Sequence, residues 1–110
     1  MAFDVTLSGV NAALTQLRVT AHNTANLATP GFTPLRAELS EASHADGGPA
    51  GVQVSSVRRT EEPRAADAPS QVDPAAELVN MISAQRSVEA NVRMIRAEDE
   101  TQQSLTELRD

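Results

Sequence analysis

Hydrophobic positions recur in two long series, one at each end of the chain, stepping by alternating fours and threes. The first runs Phe3, Leu7, Val10, Leu14, Leu17, Ala21, Thr24 and Ala28. That spacing keeps the side chains on one face of a helix and predicts a helix over 3–28. The second runs Leu78, Met81, Gln85, Val88, Val92 and Ile95, weakens at Asp99 and Gln102, and resumes at Leu105 and Leu108. It predicts a second helix over 73–108, a rod of about 50 Å.

The boundaries carry their own signals. Pro30 disfavours helical geometry at Thr29, so the first helix is expected to stop near Ala28. Thr29-Pro30-Gly31-Phe32 suits a turn with Pro second and Gly third. Asp73-Pro74 suits the cap and first position of the second helix, and Glu77 suits its dipole. Glu89 and Arg93 are spaced for an ion pair on its surface.

The stretch 29–72 is read as turn, loop and linker. It is rich in Ser, Pro, Gly and scattered charge. Val52 and Val54 alternate before the pattern slips to Val57, which predicts one short strand at about 51–57. The expected fold class is therefore mainly α. Two long terminal helices form an antiparallel, coiled-coil-like hairpin, with a short strand and irregular loop between them, in a single domain 1–110. Periodicity alone leaves two packings open, a hairpin closed on itself or coiled-coil association between chains.

Composition sharpens this picture. Only Phe3 and Phe32 are aromatic in 110 residues, and much of the hydrophobic content is Ala. Such a chain has little to bury against about 1–2 kcal/mol of backbone entropy per ordered residue. A marginal monomer that completes its burial against partners is expected. The net charge of −6 argues against nucleic acid as a partner. Every basic residue is Arg, and there is no Cys, so thiol chemistry is excluded. No stretch has the length and apolarity of a membrane span, and the N-terminus lacks the pattern of a cleaved signal peptide.

Chemistry-bearing constellations are missing. His22 and His44 have no second ligand at a metal spacing, and Gly47-Gly48 lacks the lysine of a phosphate loop. Glu98-Asp99-Glu100 is read as a solvated face. No enzyme activity and no cofactor is expected.

Two segments are more specific. Ser8-Gly9-Val10-Asn11-Ala12, followed by His22-Asn23-Thr24-Ala25-Asn26-Leu27-Ala28-Thr29-Pro30-Gly31-Phe32, resembles the N-terminal signature of the bacterial flagellar rod and hook family. The run from Glu77 through Gln85-Arg86-Ser87-Val88-Glu89-Ala90-Asn91 is similar to that family's C-terminal end. The chain most resembles the C-type proximal rod subunit, in a short, divergent form. His22 stands where the family often has Asn, Val88 where it has an aromatic, and the middle is shorter.

The resemblance implies a structural subunit of the proximal rod that self-assembles through its terminal helices. The alternative is a soluble helical adapter or export chaperone of the same system. In the rod reading, Leu7, Val10, Leu14 and Leu17 pack with Leu78, Met81, Ile82, Val88, Val92 and Ile95, and leftover apolar surface faces neighbours. Asn23, Asn26, Thr29, Pro30, Gly31 and Phe32 form one family motif; Gln85, Arg86, Glu89, Ala90 and Asn91 belong to the other. The implied partners are other rod proteins, further copies of the chain, the export apparatus and the ring-junction protein. The implied location is the basal-body rod spanning the periplasm, reached by type III export without a cleaved signal peptide.

Overall fold

The computed structural model describes residues 2–60, 62 and 65–109, so residues 61, 63 and 64 of the expected linker lie outside the described residues. The elements run α1 (Ala2–Ala25), β1 (Leu35–Ser43), β2 (Pro49–Arg59) and α2 (Pro74–Arg109). The fold class expected from the sequence is thereby corrected. The middle is a two-stranded antiparallel sheet flanked by the two helices, not a loop with one short strand.

The correction has a local cause. Leu35–Ser43 reads LRAELSEAS and lacks the β-branched residues that mark strands. Pairing with β2 makes it a strand. Asp46-Gly47, a known hairpin signal, supplies the turn. The His44 N–H donates to the Gly48 carbonyl at 2.7 Å, and the Gly48 N–H donates to Asp46 Oδ1 at 2.9 Å. Gly47 holds φ at 87°, the left-handed region that glycine enters without steric cost.

The slip before Val57 also has a structural counterpart. Between the pairs Glu38↔Ser56 and Leu39↔Val54 the register shifts, leaving Ser55 as an extra residue on β2. This bulge returns Val57 opposite Ala37, as Val54 is opposite Leu39 and Val52 opposite Glu41. The three valines therefore share one face despite their uneven spacing.

α1 ends at Ala25 rather than near Ala28, because the Asn26 N–H is shared between the His22 and Asn23 carbonyls and the last turn tightens. α2 starts where its cap is: Asp73 Oδ1 accepts from the Ala75 N–H at 3.0 Å. The expected Glu89–Arg93 pair does not form; among the described residues the ion pair present is Arg58–Glu38, across the hairpin.

The molecule is long and thin, 69 × 29 × 14 Å. Its radius of gyration is 18.6 Å, against about 13 Å for a compact chain of this length. α1 contacts both α2 and the hairpin, whereas α2 and the hairpin are not packed on each other. The core is small: Ala12, Ala13, Phe32, Val72 and Ala84, with the polar side chains of Thr6, Thr20, Asn23, Thr33 and Glu77 buried beside them.

Candidate assembly interface

The contact between the helices is built from small and polar residues. Along α2 it passes through Glu77, Ala84, Asn91 and Glu98, one position per heptad. Glu77 and Ala84 are buried, and Asn91 and Glu98 half-buried. Along α1 it passes through Thr6, Gly9, Ala13, Thr20 and Asn23. The antiparallel register is pinned at both ends. Thr6 Oγ1 donates to Glu98 Oε1 at 3.1 Å, and Asn23 Nδ2 donates to Glu77 Oε1 at 3.1 Å. Between them the Asn91 side chain fills the space left by Gly9: a Cβ added there would lie 2.9 Å from Asn91 Nδ2.

Asn23 is the centre of the structure. It is 1% exposed. Its Oδ1 accepts from the Leu35 N–H at 2.8 Å and its Nδ2 donates to the Leu35 carbonyl at 2.9 Å. One amide thus satisfies both main-chain groups at the start of β1 and also holds Glu77 of α2. Three elements meet on one side chain.

The rest of the N-terminal motif stitches the exit of α1 to the segment before α2. Asn26 Nδ2 donates to the His22 carbonyl at 2.9 Å, and the Thr29 hydroxyl donates to Asn26 Oδ1 at 3.0 Å. The Ser70 hydroxyl donates to the Asn26 carbonyl at 3.1 Å. The Gly31 N–H donates to the Ala68 carbonyl and the Gln71 N–H to the Phe32 carbonyl. Gly31 has φ of 77°, and a Cβ there would stand 2.9 Å from the Ala65 carbonyl oxygen, so glycine is required twice over. Pro30 lies exposed at the turn.

Phe32 is buried, with the His22 ring edge-on at 5.6 Å and the Arg59 guanidinium 5.4 Å from its ring centre. Arg59 also donates to the Thr33 carbonyl at 2.7 Å, tying the end of the hairpin to the same spot. On the open hairpin, Arg58 hydrogen-bonds Glu38 and holds its carboxyl below the usual carboxylate range.

None of the large apolar residues singled out by periodicity is fully buried in this seam. Leu7 and Leu14 on α1 and Leu78 and Ile82 on α2 are exposed; Val10, Leu17, Met81, Val88, Val92 and Ile95 are half-buried. Phe3, Val79, Met94, Leu105 and Leu108 are exposed as well. The stripe on α1 is centred roughly 100° around the helix from the seam. Gln85, Arg86, Glu89 and Ala90 line an outward groove on α2 together with Ile82 and Arg93. Of the C-terminal motif, Asn91 alone turns into the seam.

Sequence reasoning missed Thr6, Leu35, Ala84 and Glu98 as contact residues and gave Glu77 only a role in the helix dipole. A polar heptad leaves no hydrophobic signal; the sevenfold spacing of Glu77, Ala84, Asn91 and Glu98 was the trace available. No helix among the described residues is long and apolar enough to cross a membrane. Among them no group of three or more His, Asp or Glu is placed to hold a metal ion.

Residues 69–108 match a family model described as flagellar basal body rod FlgEFG protein, C-terminal. The matched segment takes in the Asp73 cap, Glu77 and nearly all of α2. No curated protein matches the chain as a relative.

Proposed function

We propose, from the premise that the C-terminal match supports a basal-body rod family member with a structural role, that the chain is a subunit of the proximal rod. In this reading it self-assembles through its terminal helices. One observation carries this. The two helices close on each other through Thr, Gly, Ala, Asn and Glu, and leave several large apolar side chains exposed. Leu7 is 49%, Leu78 56% and Ile82 44% exposed. Each has about 1 kcal/mol of burial still to gain. In this reading neighbouring copies supply that burial through heterologous contacts, which give open helical arrays where they do not close. Other rod components are its partners in this reading; the export apparatus and the ring-junction protein are met on the way to the rod and at its base.

The test is association. The purified chain should show a weight-average mass that rises with concentration in sedimentation equilibrium, and co-assemble with rod proteins of the same operon. Replacing Leu7, Leu14, Leu78 and Ile82 together by Gln should abolish both while leaving the helical circular dichroism of the dilute chain. A chain that stays monomeric alone and with those proteins would overturn the reading.

A further inference from the structure

A pocket of 160 Å³ opens where α1, the start of β1 and the first turns of α2 meet. It has room for a flat group about the size of benzene, which a cavity of about 150 Å³ accommodates. Its polar lining mixes donors and acceptors: Gln16 and Thr20 from α1, Arg36 from β1, and Glu77, Asn80 and Ser83 from α2. Glu77 is 5% exposed, and one of its carboxylate oxygens is fixed by Asn23. The other, Oε2, is buried with no hydrogen-bond partner. A buried carboxylate oxygen left without a donor is costly and marks an incomplete site.

The chemistry that completes it is a planar cation with several N–H donors. The chain has no Lys, so the permanently cationic side chain that a second copy can offer is a guanidinium. Arg86 and Arg93 are exposed in the outer groove of α2, and neither forms an ion pair with Glu89 between them or with any other described residue. At about 100° per residue they lie roughly 180° and roughly 160° around α2 from Glu77. No single chain can therefore bring its own Arg86 or Arg93 to its own Glu77.

We propose that this pocket is a socket for an arginine of a second copy, presented by Arg86 or Arg93 on that copy's outer α2 face. Plug and socket are on opposite sides of one helix, so the contact is head-to-tail and can be repeated from copy to copy. The guanidinium donates to Glu77 Oε2 and finds further acceptors on Asn80 and Gln16. The proposal rests on the assembly reading above and adds a charged, directional contact to its apolar ones. Arg36 of β1 also lines the pocket and is the competitor within the chain; it makes no ion pair with Glu77.

The experiment is sedimentation velocity over a concentration series on the full chain and four variants: Glu77→Gln, Arg36→Gln, the double Arg86→Gln/Arg93→Gln, and all three sites Glu77, Arg86 and Arg93 changed to Gln together. Glu77→Gln keeps an oxygen for Asn23 and removes only the charge. It and the double arginine variant should each weaken association at least about tenfold, with the combined variant no more than about twofold weaker still. Arg36→Gln should not weaken association. Should Glu77→Gln fail to fold, the arginine variant, changed only at exposed positions, decides alone. Unchanged association in the arginine variant, fully multiplicative losses, or loss of monomer stability in Arg36→Gln without loss of association would overturn the socket while the assembly reading stands. A wild-type chain that never associates overturns both.

Discussion

The two ends of the helix pair are built differently. At the hairpin end, the Asn23 amide makes three hydrogen bonds, two to Leu35 and one to Glu77, and buried Phe32 lies next to it. At the far end, Thr6 meets Glu98, and α2 runs on into Leu105 and Leu108, 57% and 83% exposed. The first end gathers hydrogen bonds from three elements on one buried amide, although Glu77 Oε2 there has no partner. The second is held by Thr6 on Glu98 and by the Val52 N–H on Ser8, and has more spare apolar surface. The molecule concentrates its intramolecular hydrogen bonding at one end.

Substitutions at the hairpin end should therefore dominate. Phe32→Ala empties the space between His22 and Arg59 and should cost about 3 kcal/mol, read as a lower urea midpoint at unchanged m. Asn23→Ala should follow closely, at about 2–3 kcal/mol, because it leaves the Leu35 N–H and carbonyl and the Glu77 carboxylate unpartnered together. Thr6→Val at the far end should cost about 1 kcal/mol. If the Thr6 and Asn23 variants lose stability equally, the contrast between the ends is wrong.

Gly31→Ala is a narrower probe of the same end. Alanine at φ of 77° is strained, and its Cβ would crowd the Ala65 carbonyl. A loss of about 1–2 kcal/mol is expected, with amide exchange speeding up at Gly31 and Gln71, whose N–H groups hold the two segments together.

How much of this the sequence displayed depends on whether burial uses large apolar residues. Both helices were legible, because Leu7, Leu14, Leu78 and Val92 mark a 3.6-residue period whatever they face. The hairpin was half legible: Val52 and Val54 show in β2, but β1 offers Leu, Ala, Glu and Ser, and only its partner makes it a strand. The seam was illegible by hydrophobicity, since Thr6, Gly9, Ala84 and Asn91 report nothing on a hydropathy scale. Asn23 came into view through its place in a family motif, and its link to Leu35 and Glu77 needed the fold. Periodicity finds a face; it does not say whether that face meets the same chain or another.

The far end offers a cleaner separation of the two. Leu105→Gln with Leu108→Gln removes apolar surface that touches little within the chain. Stability of the dilute chain should stay within about 0.5 kcal/mol of the parent, while association weakens. A large drop in the urea midpoint instead would mean that this end is already packed in the monomer.

The smallest expected effect lies on the hairpin's open surface. Arg58 lowers the Glu38 pKa, so any stability it adds is present above the ordinary glutamate range and lost as pH falls through the lowered value. The pair is exposed, 66% at Arg58 and 46% at Glu38, and exposed pairs contribute little. Glu38→Gln should flatten the acid limb of the stability profile only slightly. Asn23→Ala should lower the whole profile, because it acts where the side chains are dry. A Glu38 effect rivalling that of Asn23 would show that the hairpin is held from its open face rather than by the amide at the start of β1.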